Sequence, residues 1–425
     1  MLARFLWYLL TLARDQWKAR QELERIQLAR LRKIIHHAYD TVPLYRRLFD
    51  ENSVRPGDVH TIGDLRKIPM ISRNDLKNHR DSEITSNKVK LDSCIRRRTS
   101  GSTGEPLTVF LDGPDFDFWA ALEARKMLAY SCRPWDSTVY IGAARPSETF
   151  RILGKRFNLR RLSMSDDLEG NLQAIRSFKP QVIKSSPSYL KFLAESVVQG
   201  KITEIHPKLI HTEGEHLDER TRGILACAFR SEVMAEYGAA EVGDLAWECP
   251  TLTGYHINTD AQVVEFVKDA EPVAPGESGE VVVSCLYRRA MPIIRYRLGD
   301  VASYLDDECA CGRGLQLLAQ IQGRLLDSIT LRDGKHIAPF VLMNPLDNMH
   351  GISRYQVVQE DLNLIRISLQ VQQNFDSLRT SILNHFRGLL PEEVQVVVER
   401  VDRIDVPSGK KFRPVLSKIF AGEES

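Results

Sequence analysis

The sequence predicts an α/β protein in two parts, a large α/β domain over residues 1–322 and a small α+β domain over residues 323–425. Three observations carry this. Short apolar runs alternate with helical stretches between residues 107 and 212, the pattern of a parallel sheet. From Ala261 the texture turns to closely spaced β-runs around a Pro275-Gly276 turn. Beyond Gly323-Arg324, strands mix with one long helix over about a hundred residues, enough for a small domain.

The elements follow in order. Phe5 to Ala13 is apolar after Arg4 but too short to span a bilayer. Arg14, Asp15 and Lys18 follow it in place of a cleavage site. Helical spacing then continues over residues 15–38 through Trp17, Leu23, Ile26, Leu31, Ile34 and Ile35. This predicts a packed helical arm, with contact to a membrane surface through Phe5, Leu6, Trp7 and Tyr8 as the alternative. Pro43 ends that helix, and Ser72 caps another beginning Arg73-Asn74-Asp75. A strand at 107–111 precedes a helix at 115–131 with an aromatic stripe of Phe116, Phe118 and Trp119. Strands at 139–143, 182–185 and 209–212 are separated by a helix at 187–199. Runs at 263–267 and 280–284 form the β-rich part, and residues 375–389 the long helix.

Composition narrows the function. Lys+Arg 58 against Asp+Glu 56 leaves a net +2, which argues against a nucleic-acid partner. Seven scattered cysteines suit a reducing cytoplasm better than a disulfide framework. Cys94, Cys132, Cys227 and Cys285 read as buried thiols.

One short loop alternates hydroxyls with glycines: Thr99-Ser100-Gly101-Ser102-Thr103-Gly104-Glu105-Pro106. Glycine lets backbone N–H groups turn toward a ligand, and the hydroxyls add donors, so the loop suits phosphates. It lacks the lysine and following helix of a P-loop. A plain turn between strands is the competing reading. Three further groups stand out. Glu236-Tyr237-Gly238-Ala239-Ala240-Glu241 pairs a ring for a nucleobase with a carboxylate for Mg²⁺. Asp300 closes Arg295-Tyr296-Arg297-Leu298-Gly299, where it can accept ribose hydroxyls. Lys410 stands in the loop Pro407-Ser408-Gly409-Lys410-Lys411. Singly, each is also ordinary surface turn chemistry.

In order and spacing, these motifs, with Gly323-Arg324-Leu325-Leu326-Asp327, resemble the adenylate-forming (acyl- and aryl-CoA ligase) superfamily. Within it, Val42-Pro43-Leu44-Tyr45, Met291-Pro292-Ile293-Ile294 and Cys309-Ala310-Cys311-Gly312-Arg313 resemble the phenylacetate–CoA ligase and CapK branch. The resemblance implies ATP-dependent activation of a small carboxylic acid as an acyl-adenylate, followed by transfer to coenzyme A. Transfer to a sugar, amine or coenzyme acceptor and a non-catalytic homologue are the alternatives. It implies roles residue by residue. Thr99, Ser100, Gly101, Ser102, Thr103 and Gly104 hold the β,γ-phosphates, while Gly214, Glu215, His216, Tyr237 and Gly238 line the adenine. Glu241 binds Mg²⁺, Asp300 the ribose, and Arg324 the ribose or phosphate. Lys410 bridges carboxylate and α-phosphate, with Lys411 as its rival, and residues 323–425 act as a lid turning between two half-reactions. A homodimer is compatible with the family pattern. Three departures bear on activity: Glu105 where a phosphate-binding lysine is usual, Ala240 for a hydroxyl residue, and Leu326 at the hinge.

Cys249, His256, Cys309 and Cys311 form a separate cluster. Three thiolates and an imidazole make a closed tetrahedral set for structural Zn²⁺, as in relatives of this branch, although the spacing is not a common zinc-finger pattern. An incidental C-x-C pair beside a core cysteine is the other reading.

Overall fold

The computed structural model describes residues 2–99, 107–142, 158–200, 202–324, 327–347, 349–371, 373–404 and 412–419. The chain opens with α1 (Leu2–Asp15) and α2 (Arg20–Thr41). The arm predicted as one run over 15–38 therefore has a corner at 16–19. Buried Asp15 fixes it, with Arg14 at 2.9 Å, Arg30 at 3.8 Å and Lys18 at 3.9 Å around its carboxylate. Val42 ends α2 and starts α3 (Pro43–Glu51), whose first turn tolerates Pro43 because its N–H has no helical partner to lose. The fully buried Tyr45 donates from its hydroxyl to Pro292 O at 3.1 Å and accepts the Ile294 N–H at 2.9 Å. Two segments that marked the family resemblance thus meet.

Next come α4 (Arg73–Lys77), closed by the Ser72/Asp75 capping box, and α5 (Asp81–Ile84). The hairpin β1 (Ile95–Arg98) and β2 (Thr108–Leu111) leads to α6 (Gly113–Ala129). Asp112 caps α6, so the helix begins two residues earlier than its sequence pattern predicts. α1 packs Phe5, Leu9 and Leu12 against Phe118, Ala121 and Leu122 of α6.

The central sheet has twelve strands. β3 (Thr138–Gly142), β4 (Leu159–Ser163), β5 (Val182–Ser185), β6 (Leu209–Glu213) and β7 (Glu232–Ala239) run parallel in the order β4-β3-β5-β6-β7. α7 (Leu168–Phe178), α8 (Pro187–Gln199) and α9 (Glu219–Phe229) make the crossovers. The antiparallel remainder comprises β8 (Gly243–Glu248), β9 (Tyr255–Ile257), β10 (Gln262–Lys268), β11 (Glu271–Pro272), β12 (Gly279–Cys285), β13 (Tyr296–Leu305) and β14 (Leu317–Arg324). β5 and β6 turn Ile183 and Ile210 into the core beneath the crossover helices.

The rest of the chain is β15 (Ile329–Thr330), β16 (His336–Ile337), α10 (Pro339–Asp347), β17 (Ile352–Asp361), β18 (Leu364–Val371), α11 (Phe375–Leu389), β19 (Gln395–Arg400) and β20 (Val415–Ser417). Its four-stranded sheet, β19-β18-β17-β20, encloses a core of its own, including Leu342, Ile365, Ile367, Ile382 and Phe386. Cys132 and Cys285 are buried, and burial pushes both thiols up to about 11. Cys94 is only half-buried and Cys227 is exposed, against the prediction: α9 turns Thr221, Leu225 and Phe229 inward, and Cys227 is off that face. Among the described residues no helix is long and apolar enough to cross a membrane.

Candidate active site

The carboxyl ends of β5, β6 and β7 open onto a cleft of about 1470 Å³, where open α/β sheets hold their ligands. The small sheet and α10 supply the opposite wall, through Phe340, Met343 and Arg354. Arg220, in the first turn of α9, spans the two sides with a 2.7 Å hydrogen bond to Ile352 O.

Tyr237 and Asp300 come together across the sheet. The Tyr237 hydroxyl donates to Asp300 Oδ2 at 2.8 Å, and Arg324 Nε lies 3.8 Å from Asp300 Oδ1. The last contact follows from register, since Asp300 and Arg324 are paired on β13 and β14. Burial and the Asp300 carboxylate hold the Tyr237 phenol well above its ordinary pKa, so it stays a donor. Gly238 makes the hairpin between β7 and β8: a Cβ there would lie 2.4 Å from Gly243 O. Gly214, just after β6, takes φ +80°, a conformation suited to glycine. Glu215 Oε2 accepts the Ser188 N–H at 3.1 Å, and the His216 ring stands edge-on to Phe340 at 6.0 Å. Burial lowers the His216 pKa, leaving a neutral ring on the cleft wall.

Glu241 also lines the cleft, held by Arg73 Nη1 at 2.9 Å. Arg73 Nη2 donates to Thr99 Oγ1 at 2.6 Å, and Thr99 Oγ1 accepts the Leu107 N–H at 2.9 Å. Arg73 thus joins the carboxylate to the base of the glycine–hydroxyl loop. In the sequence it showed only as the start of a helix. Ala240 lines the cleft without a hydroxyl. Ser100, Gly101, Ser102, Thr103, Gly104, Glu105, Leu326, Lys410 and Lys411 lie outside the described residues.

Below the cleft lies an ionic group the sequence reading missed. Lys184 Nζ contacts Glu123 and Glu213 at 2.9 Å and Glu236 at 3.1 Å. Lys126 pairs with Glu236, with Glu123 at 3.0 Å and with Asp244 at 3.1 Å. Burial opposes both ammonium charges, but the carboxylates outweigh it, raising Lys126 to about 12 and Lys184 well above its usual value. Burial and the two lysines keep His211 neutral, so its ring donates to Glu236 at 2.6 Å. Glu123, His211 and Glu236 are close enough to hold a cation, but the ammonium groups of Lys126 and Lys184 already occupy that place. The one signal in sequence was Lys184 itself, a charge within the apolar run Val182-Ile183-Lys184-Ser185.

Cys249, His256, Cys309 and Cys311 converge apart from the cleft, their ligand atoms all within 4.8 Å of one another. A tetrahedral zinc with ligands at 2.0–2.3 Å sets its donors roughly 3.3–3.8 Å apart. Cys249 and Cys309 sulfurs are 3.6 Å apart, and Cys311 Sγ lies 3.2 Å from His256 Nε2. Burial and Arg313 lower His256 to about 4, keeping the neutral form that binds metals. Burial opposes ionisation of Cys309, yet hydrogen bonds from Thr253, Cys311 and Cys249 bring its thiol down to about 7. The donor set fits zinc.

Residues 329–418 match the CapK C-terminal domain family. The phenylacetate–coenzyme A ligase of Escherichia coli (strain K12) is 29% identical over 374 residues, 84% of each chain. Protein CapK of Staphylococcus aureus is 20% identical over 376 residues, 84% of this chain and 80% of that protein. A crystal structure of 2-hydroxyisobutyryl-CoA ligase in the postadenylation state, with 2-HIB-AMP, superposes with a TM-score of 0.79 at 21% identity, covering 96% of this chain and 92% of the other. The chain is a relative of the phenylacetate–CoA ligases and of CapK, built on the adenylate-forming ligase fold.

Proposed function

We propose that this protein activates a carboxylic acid with ATP, forming an acyl-adenylate with release of pyrophosphate, and then transfers the acyl group to the thiol of coenzyme A. The observation that carries the proposal is the meeting of Tyr237, Asp300, Arg324 and Glu241 in one cleft at the strand ends. The likeness to a phenylacetate–CoA ligase over 84% of both chains supports it. Asp300 accepts the ribose hydroxyls, Tyr237 and residues 214–216 flank the adenine, and Arg324 faces ribose or phosphate. Thr99 and the loop to Gly104 cradle the β,γ-phosphates. Glu241 is the carboxylate that would hold Mg²⁺, which when bound neutralises phosphate charge. Lys410 is assigned the place between the acid and the α-phosphate, where it stabilises the charge that develops as pyrophosphate leaves.

Residues 1–322 carry the nucleotide site in this reading, and residues 323–425 form a lid that brings Lys410 in for the first half-reaction and withdraws it for the second. On this reading the reaction is cytoplasmic, which the cysteine composition and the need for ATP support, and structural Zn²⁺ is assigned to Cys249, His256, Cys309 and Cys311, whose clustering supports it. ATP–pyrophosphate exchange across a panel of carboxylic acids tests the first step, and absence of exchange with every acid overturns it. Lys410→Ala is expected to lower exchange by about 10²–10³ with ATP affinity kept. Acid-dependent AMP release that requires an amine or hydroxyl acceptor in place of coenzyme A would replace the second step and leave the first intact.

A further inference from the structure

One apolar face of α1 is left open to solvent among the described residues. The helix turns Phe5, Leu9 and Leu12 onto α6, and that side is buried. On the other side Leu2, Leu6 and Leu10 recur at every fourth residue and so form one row along the helix, with Trp7 beside it. Leu2, Leu6, Leu10 and Trp7 are 55%, 43%, 70% and 62% exposed. The face differs from the one the apolar run alone suggests. Phe5 is buried, and Tyr8 stands edge-on to Phe118 at 5.0 Å, so both belong to the packing against α6. A helix apolar on both sides sits at a boundary, held by protein on one side and open to a second apolar medium on the other.

The charges along α1 say which medium. From Leu2 to Arg14 the chain holds two bases, Arg4 and Arg14, and no acid. Arg4 pairs with Asp117 at 2.7 Å and Arg14 with Asp15 at 2.9 Å, and both of those carboxylates are buried. The Arg14 side chain is 70% exposed and continues the row of Leu2, Leu6 and Leu10. A surface approaching the row therefore meets guanidinium groups while the acids stay hidden, which favours an anionic surface. Trp7 adds a ring suited to the level of lipid headgroups. A second protein is the poorer fit, because four apolar side chains on one helix fall far short of the about 20–30 residues a side of a stable interface. A bilayer sets no such minimum. It takes up an apolar helix face lying in its plane to a depth of about 5–10 Å, and α1 offers ~21 Å of helix for that.

We propose that α1 lays Leu2, Leu6, Trp7 and Leu10 into the headgroup region of an anionic phospholipid membrane, with Arg4 and Arg14 toward the lipid phosphates, so that the protein binds the membrane surface reversibly. This contact is independent of the adenylation reading above. Flotation of the full-length protein with vesicles tests it, using phosphatidylglycerol and phosphatidylcholine in about equal amounts against phosphatidylcholine alone. The mixed vesicles are expected to bind at least ~10-fold more tightly, since each base near an anionic surface adds to the attraction, and about 0.5 M salt is expected to remove most of that advantage. Leu6→Gln/Leu10→Gln keeps good helix formers at two exposed positions and is expected to weaken binding to the mixed vesicles at least ~10-fold with Tm unchanged. Trp7→Gln alone is expected to weaken it in the same direction. Failure of the folded full-length protein to float with the mixed vesicles, equal binding to both kinds of vesicle, or undiminished binding by both variants overturns the proposal. So does a dimer that sedimentation detects without lipid and that Leu6→Gln/Leu10→Gln dissociates, which would give the face to a second copy of the chain.

Discussion

Asp347, at the end of α10, accepts a 2.6 Å hydrogen bond from the Tyr355 hydroxyl. Burial raises its carboxyl to about 6 in spite of that bond. An unfolded aspartate titrates near ~4, so the folded chain keeps a proton that the unfolded chain has lost between those values. Stability therefore falls as pH rises from about 4 to about 6, and the cost persists above that range. Asp347→Asn is expected to raise Tm by about 1–3 °C at pH 8 and to leave it unchanged at pH 4. Melting curves at the two pH values check this, and equal shifts at both would refute it. Legibility at this scale divides by distance along the chain. Tyr237, Glu241, Asp300 and Arg324 could be named because each sits in a short motif with its own chemistry. Arg73 could not, because its partner Glu241 lies 168 positions away. Lys126 and Glu236 are 110 apart, and nothing local to either announces the pair.

The elements that could be read were those with a period. β5, α8 and α11 fall within the residues their apolar patterns mark, since burial on both faces or on one stripe writes itself into composition. The corner between α1 and α2 was missed because the apolar spacing continues through it, and the turn is held by ion pairs around Asp15. β11, β15 and β16 have two residues each, too few to show alternation. The Cys249, His256, Cys309 and Cys311 cluster belongs here because it brings the end of β8 and the middle of β9 beside the loop between β13 and β14. Freshly purified protein is expected to hold about one Zn²⁺ per chain by elemental analysis, and Cys309→Ser/Cys311→Ser to lose it. With no open coordination position, metal loss should lower Tm far more than it lowers exchange. Full zinc content in the double variant would refute the assignment.

Among the described residues the two largest sheets have twelve and four strands, and the smaller of these encloses a core drawn from residues 329 to 415. A chain ending at Arg324 keeps every strand of the twelve-stranded sheet. It is expected to fold, to retain ATP binding within about tenfold, and to lose exchange almost entirely. Calorimetry and the exchange assay check this, and exchange at the full-length rate would remove Lys410 and the lid from the chemistry. The parallel strands of the large sheet were legible because strand and helix alternate there, and the long helix of the small part because its apolar stripe is periodic. How the small sheet meets the large one was not, since contacts such as Arg220 with Ile352 O and His216 with Phe340 are single and irregular.

The clasp on Tyr45 has a consequence in time. Its two backbone partners lie 247 and 249 positions downstream. Gln27 and Arg30 of α2 likewise wait for Gln262 O and Asp260 O. A ribosome adding about 5–20 residues per second needs roughly 12–50 s to supply them. Throughout that interval the inner face of the arm, with Leu31, Ile34 and Ile35, can settle only on near neighbours such as Tyr45, Phe49, Val59 and Leu65, without the strands that complete its core. β3 to β7 meanwhile pair with neighbours only tens of residues away and can close first. The segment made earliest is thus the last to lock, and in the nascent chain it is the piece a chaperone would find exposed.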